Sequence, residues 1–372
     1  MRNFKFIIAM LVLAVFAVGA VSAAEDIAVE DNTIEPADDI VVEDVDADDV
    51  DESASDVEED IAADVNEESR TVPAITYTQY QITTSSNFAD INANITNGIF
   101  DGYEFVFAND TYTNFAMVTG NNNKFTGNGA TLIGSTDNLF TVAGSNNITI
   151  TGFNMQVATG KAAVYGANVF NADITNNNIS GGKDGINIMQ TYDNVTISGN
   201  TITGVTRDAI SLVDHRNLSD DDWTDRGNSI ISNNVIVGKA NLGTEFGMFF
   251  GGNFKGLIEN NVINGTDCGI QFAGKKAATN GKLDVEITAN NITNVQTGID
   301  MRHPYIDYLY ISWNNIETLD NNSCFAIFID GNFSSVFYQD IYVYSNYLYG
   351  KVNQTFINKT VAFLYNYGYN VV

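Results

Sequence analysis

The sequence predicts an all-β right-handed parallel β-helix, a solenoid reached after an export signal and an acidic spacer. Three observations carry that prediction. An Ile-x-x-Asn-x-Ile-x-Gly pattern recurs along the chain, a second strand-like motif follows it inside most repeats, and helical spacing of apolar residues is hard to find after residue 72.

The chain begins with Arg2 and Lys5, continues with an apolar run from Ile7 to Val21, and offers small residues at Val21-Ser22-Ala23-Ala24. That order reads as a secretory signal over residues 1–24. A run of this length is also close to the lower limit for a membrane span, so a retained N-terminal anchor is the alternative. Residues 25–72 hold twenty-one acidic residues against the single basic Arg70, without an aromatic residue or a glycine. Such a block repels itself and buries too little to fold, so it reads as a disordered, solvated spacer. It supplies most of the formal charge of −29, and the chain lacks the basic footprint of a nucleic-acid partner.

Residues 73–372 form the predicted β-helix. Seven copies of the first motif begin at Ile174, Ile197, Ile231, Ile258, Ile287, Ile311 and Val343, and a weaker copy begins at Ile150. Their central positions are Phe153, Asn177, Asn200, Asn234, Asn261, Asn290, Asn314 and Asn346, spaced by 23 to 34 residues. The second motif reads Asp184-Gly-Ile-Asn-Ile, Asp208-Ala-Ile-Ser-Leu, Phe246-Gly-Met-Phe-Phe, Cys268-Gly-Ile-Gln-Phe, Thr297-Gly-Ile-Asp-Met and Phe325-Ala-Ile-Phe-Ile. Alternation at period 2 marks strands with one buried face. Rungs of uneven length with constant strand columns fit a coil better than a propeller.

Three inward stacks follow. The first is Ile174, Ile197, Ile231, Ile258, Ile287, Ile311 and Val343. The second is Ile179, Ile202, Ile236, Ile263, Ile292, Ile316 and Leu348. The third is Ile186, Ile210, Met248, Ile270, Ile299 and Ile327. The asparagines between the first two stacks form a ladder, each amide bonding its neighbours above and below. Residues 75–135, with Phe88, Ile91, Ile95, Phe100, Phe105, Phe107 and Phe115, supply the first turns and an N-terminal cap. The eight tyrosines between Tyr338 and Tyr369 close the far end or join a second copy.

The Asn ladder, the Asp-Gly-Ile turns and the variable rungs resemble the β-helix family that includes pectate lyases and polygalacturonases. The layout of signal, acidic spacer and β-helix resembles adhesin-like surface proteins of methanogenic archaea. The resemblance implies a secreted or cell-surface protein with adhesion or glycan contact as its role. A polysaccharide lyase or glycoside hydrolase is the enzymatic alternative, and a structural wall protein the third.

The segments 189–194, 213–228, 251–256, 273–282, 302–306 and 330–339 leave equivalent columns, so they are expected to project as loops from one long edge. That edge gathers the candidate ligand-binding residues Asp214, His215, Arg216, Trp223, Arg302, His303 and Tyr305. Trp223 and Tyr305 suit stacking on sugar rings, and the charged groups suit hydroxyls or carboxylates. A solvated edge without a ligand fits the same residues. For catalysis the candidates are Asp184 and Asp208, at the same column of adjacent rungs and about 4.8 Å apart between backbones, together with His215. That separation is near the one retaining glycosidases use. Lys183-Asp184-Gly185 and Arg207-Asp208-Ala209 resemble the acidic motifs of polygalacturonases, but the second acid and the Gly-His-Gly and Arg-Ile-Lys motifs are missing. Turn capping by each Asp is the structural alternative.

Neither a cofactor nor a metal is expected. Twelve Asn-x-Ser/Thr sequons occur, with Asn94, Asn109, Asn217, Asn321 and Asn353 as glycosylation candidates. Sequons such as Asn178 and Asn194 arise from the repeat itself. Cys268 and Cys324 fall two rungs apart, about 9.6 Å at sheet spacing and too far for a disulfide.

Overall fold

A computed structural model describes residues 76–214, 216, 220–238, 245–274, 282–302, 305–320, 322–329, 337–353 and 362–371. The predicted signal and spacer, residues 1–24 and 25–72, lie outside the described residues. Every strand pairing in the described part is parallel, and each rung lays one strand into each of three long sheets. One rung shows the plan: Ser229–Ser232 runs in the first sheet, Val235–Val237 in the second and Phe246–Gly252 in the third. The next rung repeats it with Phe254–Glu259, Val262–Asn264 and Cys268–Ala273. The chain is thus a right-handed parallel β-helix.

The three predicted stacks form residue for residue. Ile174 pairs with Ile197, and the column continues through Ile231, Ile258, Ile287 and Ile311 to Val343. The second runs from Ile179 to Leu348 and the third from Ile186 to Ile327. All of these residues are buried. Each withdraws an aliphatic side chain from water, worth about 1.5–3 kcal/mol apiece.

The ladder forms as predicted and runs one rung further, to Asn366. Each internal amide is fully used. Asn261 Oδ1 accepts from the backbone N–H of Asn234 at 3.0 Å and from Asn234 Nδ2 at 3.0 Å. Asn261 Nδ2 donates to Asn290 Oδ1 at 2.9 Å and to the carbonyl of Ile231 at 2.8 Å. The residue before each ladder Asn sits in the left-handed region, which turns the chain from the first sheet into the second. Early rungs place residues suited to it there, such as Asn176, Gly199, Asn233 and Asn260. The last rungs place Ala289, Trp313, Ser345 and Tyr365, with φ near +55°.

The second motif's glycine is set by close approach between rungs. A Cβ on Gly247 would lie 2.6 Å from the carbonyl oxygen of Gly269, and one on Gly269 would lie 2.6 Å from that of Gly298. Neither has positive φ, so the demand is for space.

The N-terminal end departs from expectation in one respect. Residues Phe88–Thr96 form an α-helix, capped by the Asn87 side chain, which accepts from the N–H groups of Ala89 and Asp90. Its apolar face is Phe88, Ile91 and Ile95, the two isoleucines buried and Phe88 packed against Tyr112 and Phe115. Three residues over two turns are too short a stripe to stand out as a helical period. Asn92 ties the helix to the first rung: its Nδ2 donates to the Ala116 carbonyl, and its Oδ1 accepts from the Val118 N–H. Beneath the helix, the inward columns switch from isoleucine to phenylalanine. Phe105 stacks on Phe125, and Phe107, Phe140 and Phe153 meet edge to face or tilted. Phe153 therefore heads the ladder as a packed ring.

The tyrosine-rich end is a second correction. Tyr342, Tyr344, Tyr347, Tyr349, Tyr365 and Tyr367 belong to the sides of the last rungs, not to a plug across the end. Inward positions there are Ile341, Val343 and Leu348, so strand alternation turns the tyrosines outward.

Candidate functional site

Two of the six segments predicted as loops, 189–194 and 251–256, are described throughout and are largely strand, whereas 215, 217–219, 275–281, 303–304 and 330–336 lie outside the described residues. Asp184–Ser198 is one strand running through 189–194, bent where Gln190 takes a positive φ. At 251–256 the third-sheet strand ends at Gly252 and the next begins at Phe254. Asn253 alone connects them, fully buried. Its Oδ1 accepts from the Lys282 N–H, and its Nδ2 donates to the Arg216 carbonyl.

Of the described edge residues, Asp214, Arg216 and Trp223 belong to one closed polar network. Asp214 is fully buried. Arg216 reaches it through Nε at 3.0 Å and Nη2 at 2.6 Å, and Arg226 through Nη1 at 2.5 Å. Burial alone would raise the Asp214 pKa, but the Arg216 hydrogen bonds and the charge of Arg226 outweigh it and hold the carboxyl below its usual range. Arg226, itself buried, lies 4.7 Å over the Tyr192 ring and 5.9 Å from that of Trp223. The buried Tyr192 hydroxyl donates to the Asn253 carbonyl at 2.8 Å. Trp223 is only 6% exposed. The expected sugar-stacking face at Trp223 is therefore absent, because Arg226 and Lys282 occupy its ring faces. Arg302 remains on the surface, bonded to Asp300 at 3.0 Å and 5.6 Å from the Phe328 ring. His215 and His303 lie outside the described residues, as does the side chain of Tyr305, whose backbone begins a first-sheet strand.

Asp184 and Asp208 stand on one column of adjacent rungs, and both are buried. Arg207 bridges them. Its Nε and Nη2 hold Asp184 at 2.9 and 2.8 Å, and the same Nε lies 3.1 Å from Asp208 Oδ2. Asn187 adds a bond to Asp184. Asp208 Oδ1 and Asn187 Oδ1 have no hydrogen-bond partner. Burial first, then the charges of Asp184 and Glu245, push the Asp208 pKa up to about 6 despite Arg207. A raised acid favours the fold while protonated. Its contribution is complete below the ordinary carboxylate pKa and is lost as pH rises through about 6. We expect the stability difference between the protein and Asp208→Asn to change by about 2–3 kcal/mol from pH 4 to pH 8. Urea unfolding across that range checks it, and parallel pH profiles would refute it.

Among the sequons, Asn109 is exposed beside a turn, and Asn94 is half-buried on the capping helix. Asn353 Nδ2 donates to the Ile329 carbonyl at 2.9 Å, so the nitrogen a glycan would need is engaged. The same holds for the repeat-born Asn178 and Asn194, bonded to Asn154 and Asn171. Asn217 and Asn321 lie outside the described residues. Cys268 and Cys324 are free thiols, Cys268 being buried.

A surface not singled out from the sequence is the outer face of the last rungs. In the first sheet, Asp284 pairs with Tyr308 and Tyr308 with Asp340, while Glu286 pairs with Tyr310 and Tyr310 with Tyr342. Tyr308 and Tyr310 are stacked within 5° of parallel, at 6.4 Å between centroids. Tyr310 lies 6.3 Å from Tyr342. At the corner, Trp313 and Tyr365 flank Tyr344, each 5.8 Å away and edge-on. Both corner rings are open to water, at 63% and 68% exposure. Around the turn, Tyr347, Tyr349 and Tyr367 continue the exposed surface. Burial, then the neighbouring Glu286, Tyr310 and Asp284, push the Tyr308 phenol up to about 12, so it stays a neutral donor. The legible signal was Tyr-x-Tyr at outward strand positions: Tyr308 and Tyr310, Tyr342 and Tyr344, Tyr347 and Tyr349.

Residues 106–283, just under half of the chain, match the family model described as right handed beta helix region. Fold and match together define a right-handed β-helix protein. No curated protein matches the chain.

Proposed function

We propose that this is an exported, adhesin-like surface protein without catalytic activity, which contacts glycans through the aromatic outer face of its last rungs. The observation that carries the reading is a contiguous outward row in which Tyr308, Tyr342, Trp313 and Tyr365 are exposed and Tyr310 and Tyr344 are half-buried between them. Soluble proteins seldom leave a contiguous aromatic surface uncovered without a binding role. Flat rings with a polar hydroxyl suit the apolar faces and hydroxyl rims of sugars. The corner supports the same reading. A tryptophan or tyrosine in the left-handed region is costly, and glycine or asparagine serves that turn on earlier rungs. The predicted signal supports export, and the acidic segment 25–72 suits a spacer.

The test is a glycan array probed with the full chain and with Tyr310→Ala/Tyr342→Ala. We expect binding that falls about tenfold or more in the double variant, as loss of two ring contacts implies, with circular dichroism unchanged. Absence of binding to any glycan would favour a structural wall protein.

The enzymatic reading rests on Asp208, a buried acid with a raised pKa beside Asp184. Polysaccharide turnover lost in Asp208→Asn would establish it.

A further inference from the structure

The outer face of the last rungs is not only aromatic. Carboxylates stand in register with its rings. Tyr308 has Asp284 on one side and Asp340 on the other, and Tyr310 has Glu286 on one side and Tyr342 on the other. Parallel neighbours lie about 4.8 Å apart, so the Tyr308 and Tyr310 rings are each one strand from a negative charge. From Asp284 to Tyr344, the described outward positions of this sheet are Asp284, Glu286, Thr288, Tyr308, Tyr310, Ser312, Asp340, Tyr342 and Tyr344. None is basic. The nearest cation in register is Lys255, beside Asp284 at the margin. Asp307 adds charge at the same margin.

Such a surface discriminates by charge. An ammonium group over a tyrosine face is attracted by the ring quadrupole. The same group gains a charge-assisted hydrogen bond from a carboxylate one strand away. A uronic-acid polymer would meet like charge at every rung, and a neutral polymer would use the rings alone. Resting on the glycan-contact reading above, we propose that the ligand is a polysaccharide of amine-bearing sugars, seated along the Asp284–Tyr308–Asp340 and Glu286–Tyr310–Tyr342 columns. Its rings stack on the tyrosines, and its ammonium groups lie toward Glu286 and Asp340.

The experiment compares three soluble polymers on the full chain: polyglucosamine, its N-acetylated form and a polyuronate. The polyglucosamine should bind, the N-acetylated form at least tenfold more weakly, and the polyuronate not at all. Glu286→Gln/Asp340→Asn should weaken polyglucosamine about tenfold and leave the N-acetylated polymer unchanged. The double variant also separates this face from residues 25–72, whose acidity attracts any polycation. Equal binding of the amine and N-acetyl forms would overturn the charge assignment and leave the glycan face standing. Polyglucosamine binding that survives the carboxylate variant would place the attraction elsewhere and overturn the inference. Insensitivity of every polymer to Tyr310→Ala/Tyr342→Ala would remove both.

Discussion

Asp214→Ala should lower the unfolding free energy by about 3–5 kcal/mol, the range for breaking a buried ion pair from one side. Asp214 has no exposed surface, and it is held by Arg216 and Arg226. Without that carboxylate, Arg226 stays buried against the Tyr192 and Trp223 rings, with Asp193 the remaining carboxylate that feels its charge. Its Nε and Nη2 already have no hydrogen-bond partner. The damage should spread, because Arg216 also donates to the Tyr192 carbonyl and accepts from Asn253. Three connections between the third and first sheets are therefore stitched through one acid. Urea unfolding with matched cooperativity measures the effect. The double variant Asp214→Ala/Arg226→Met should lose less than the sum of its parts, since it removes the stranded charge with its partner. A folded pKa below the usual range means that this contribution is present at neutral pH and is lost as pH falls through that lowered value. A loss under about 1 kcal/mol for Asp214→Ala, a value expected of exposed pairs, would show that the network is not holding the edge.

Asn261→Leu is the second large effect. Leucine shares asparagine's heavy-atom count and branching and is at home in a core, so an accounting by shape and apolarity alone predicts tolerance. Hydrogen bonding predicts the reverse. The change strands the Asn234 N–H, one proton of Asn234 Nδ2 and the Ile231 carbonyl, all away from water. At about 1–3 kcal/mol for each buried orphan, the loss should reach about 3–6 kcal/mol. The same change at Asn366 should cost less, because it is the last described step of the ladder and only partly buried. Phe153 shows the condition under which an apolar residue is accepted. It heads the ladder, only its N–H must be served, and Asn177 Oδ1 accepts it at 3.1 Å. Its ring meanwhile packs on Phe107 and Phe140. Equal stability of Asn261→Leu and the unaltered chain would mean that the amide ladder is dispensable.

The rungs were legible in the sequence because inward positions repeat with the strand period and the ladder demands one amide per rung. Ile174 to Val343, Ile179 to Leu348, Ile186 to Ile327 and Asn177 to Asn346 could all be placed before any coordinate. A stripe of only three apolar residues hid the capping helix, whose stability comes from docking on the first rungs and not from its own pattern.

The site was less legible for a different reason. Composition placed Asp214, Arg216 and Trp223 on a charged segment, and charged segments are usually solvated. Only the tertiary structure decided that Asn253, Tyr192 and Arg226 close over them. Tyr192 and Asn253 come from neighbouring rungs, 24 and 37 residues from Arg216 in the chain, and Arg226 lies 12 residues from Asp214. Conversely, the tyrosines were visible as a composition bias and became a surface only when strand register aligned them. The sequence by itself determined which residues face the core, because that depends on alternation within a strand. Which outward residues meet water and which meet one another depends on neighbours one rung away. Ladder spacings that vary from 20 to 34 residues leave that to the fold.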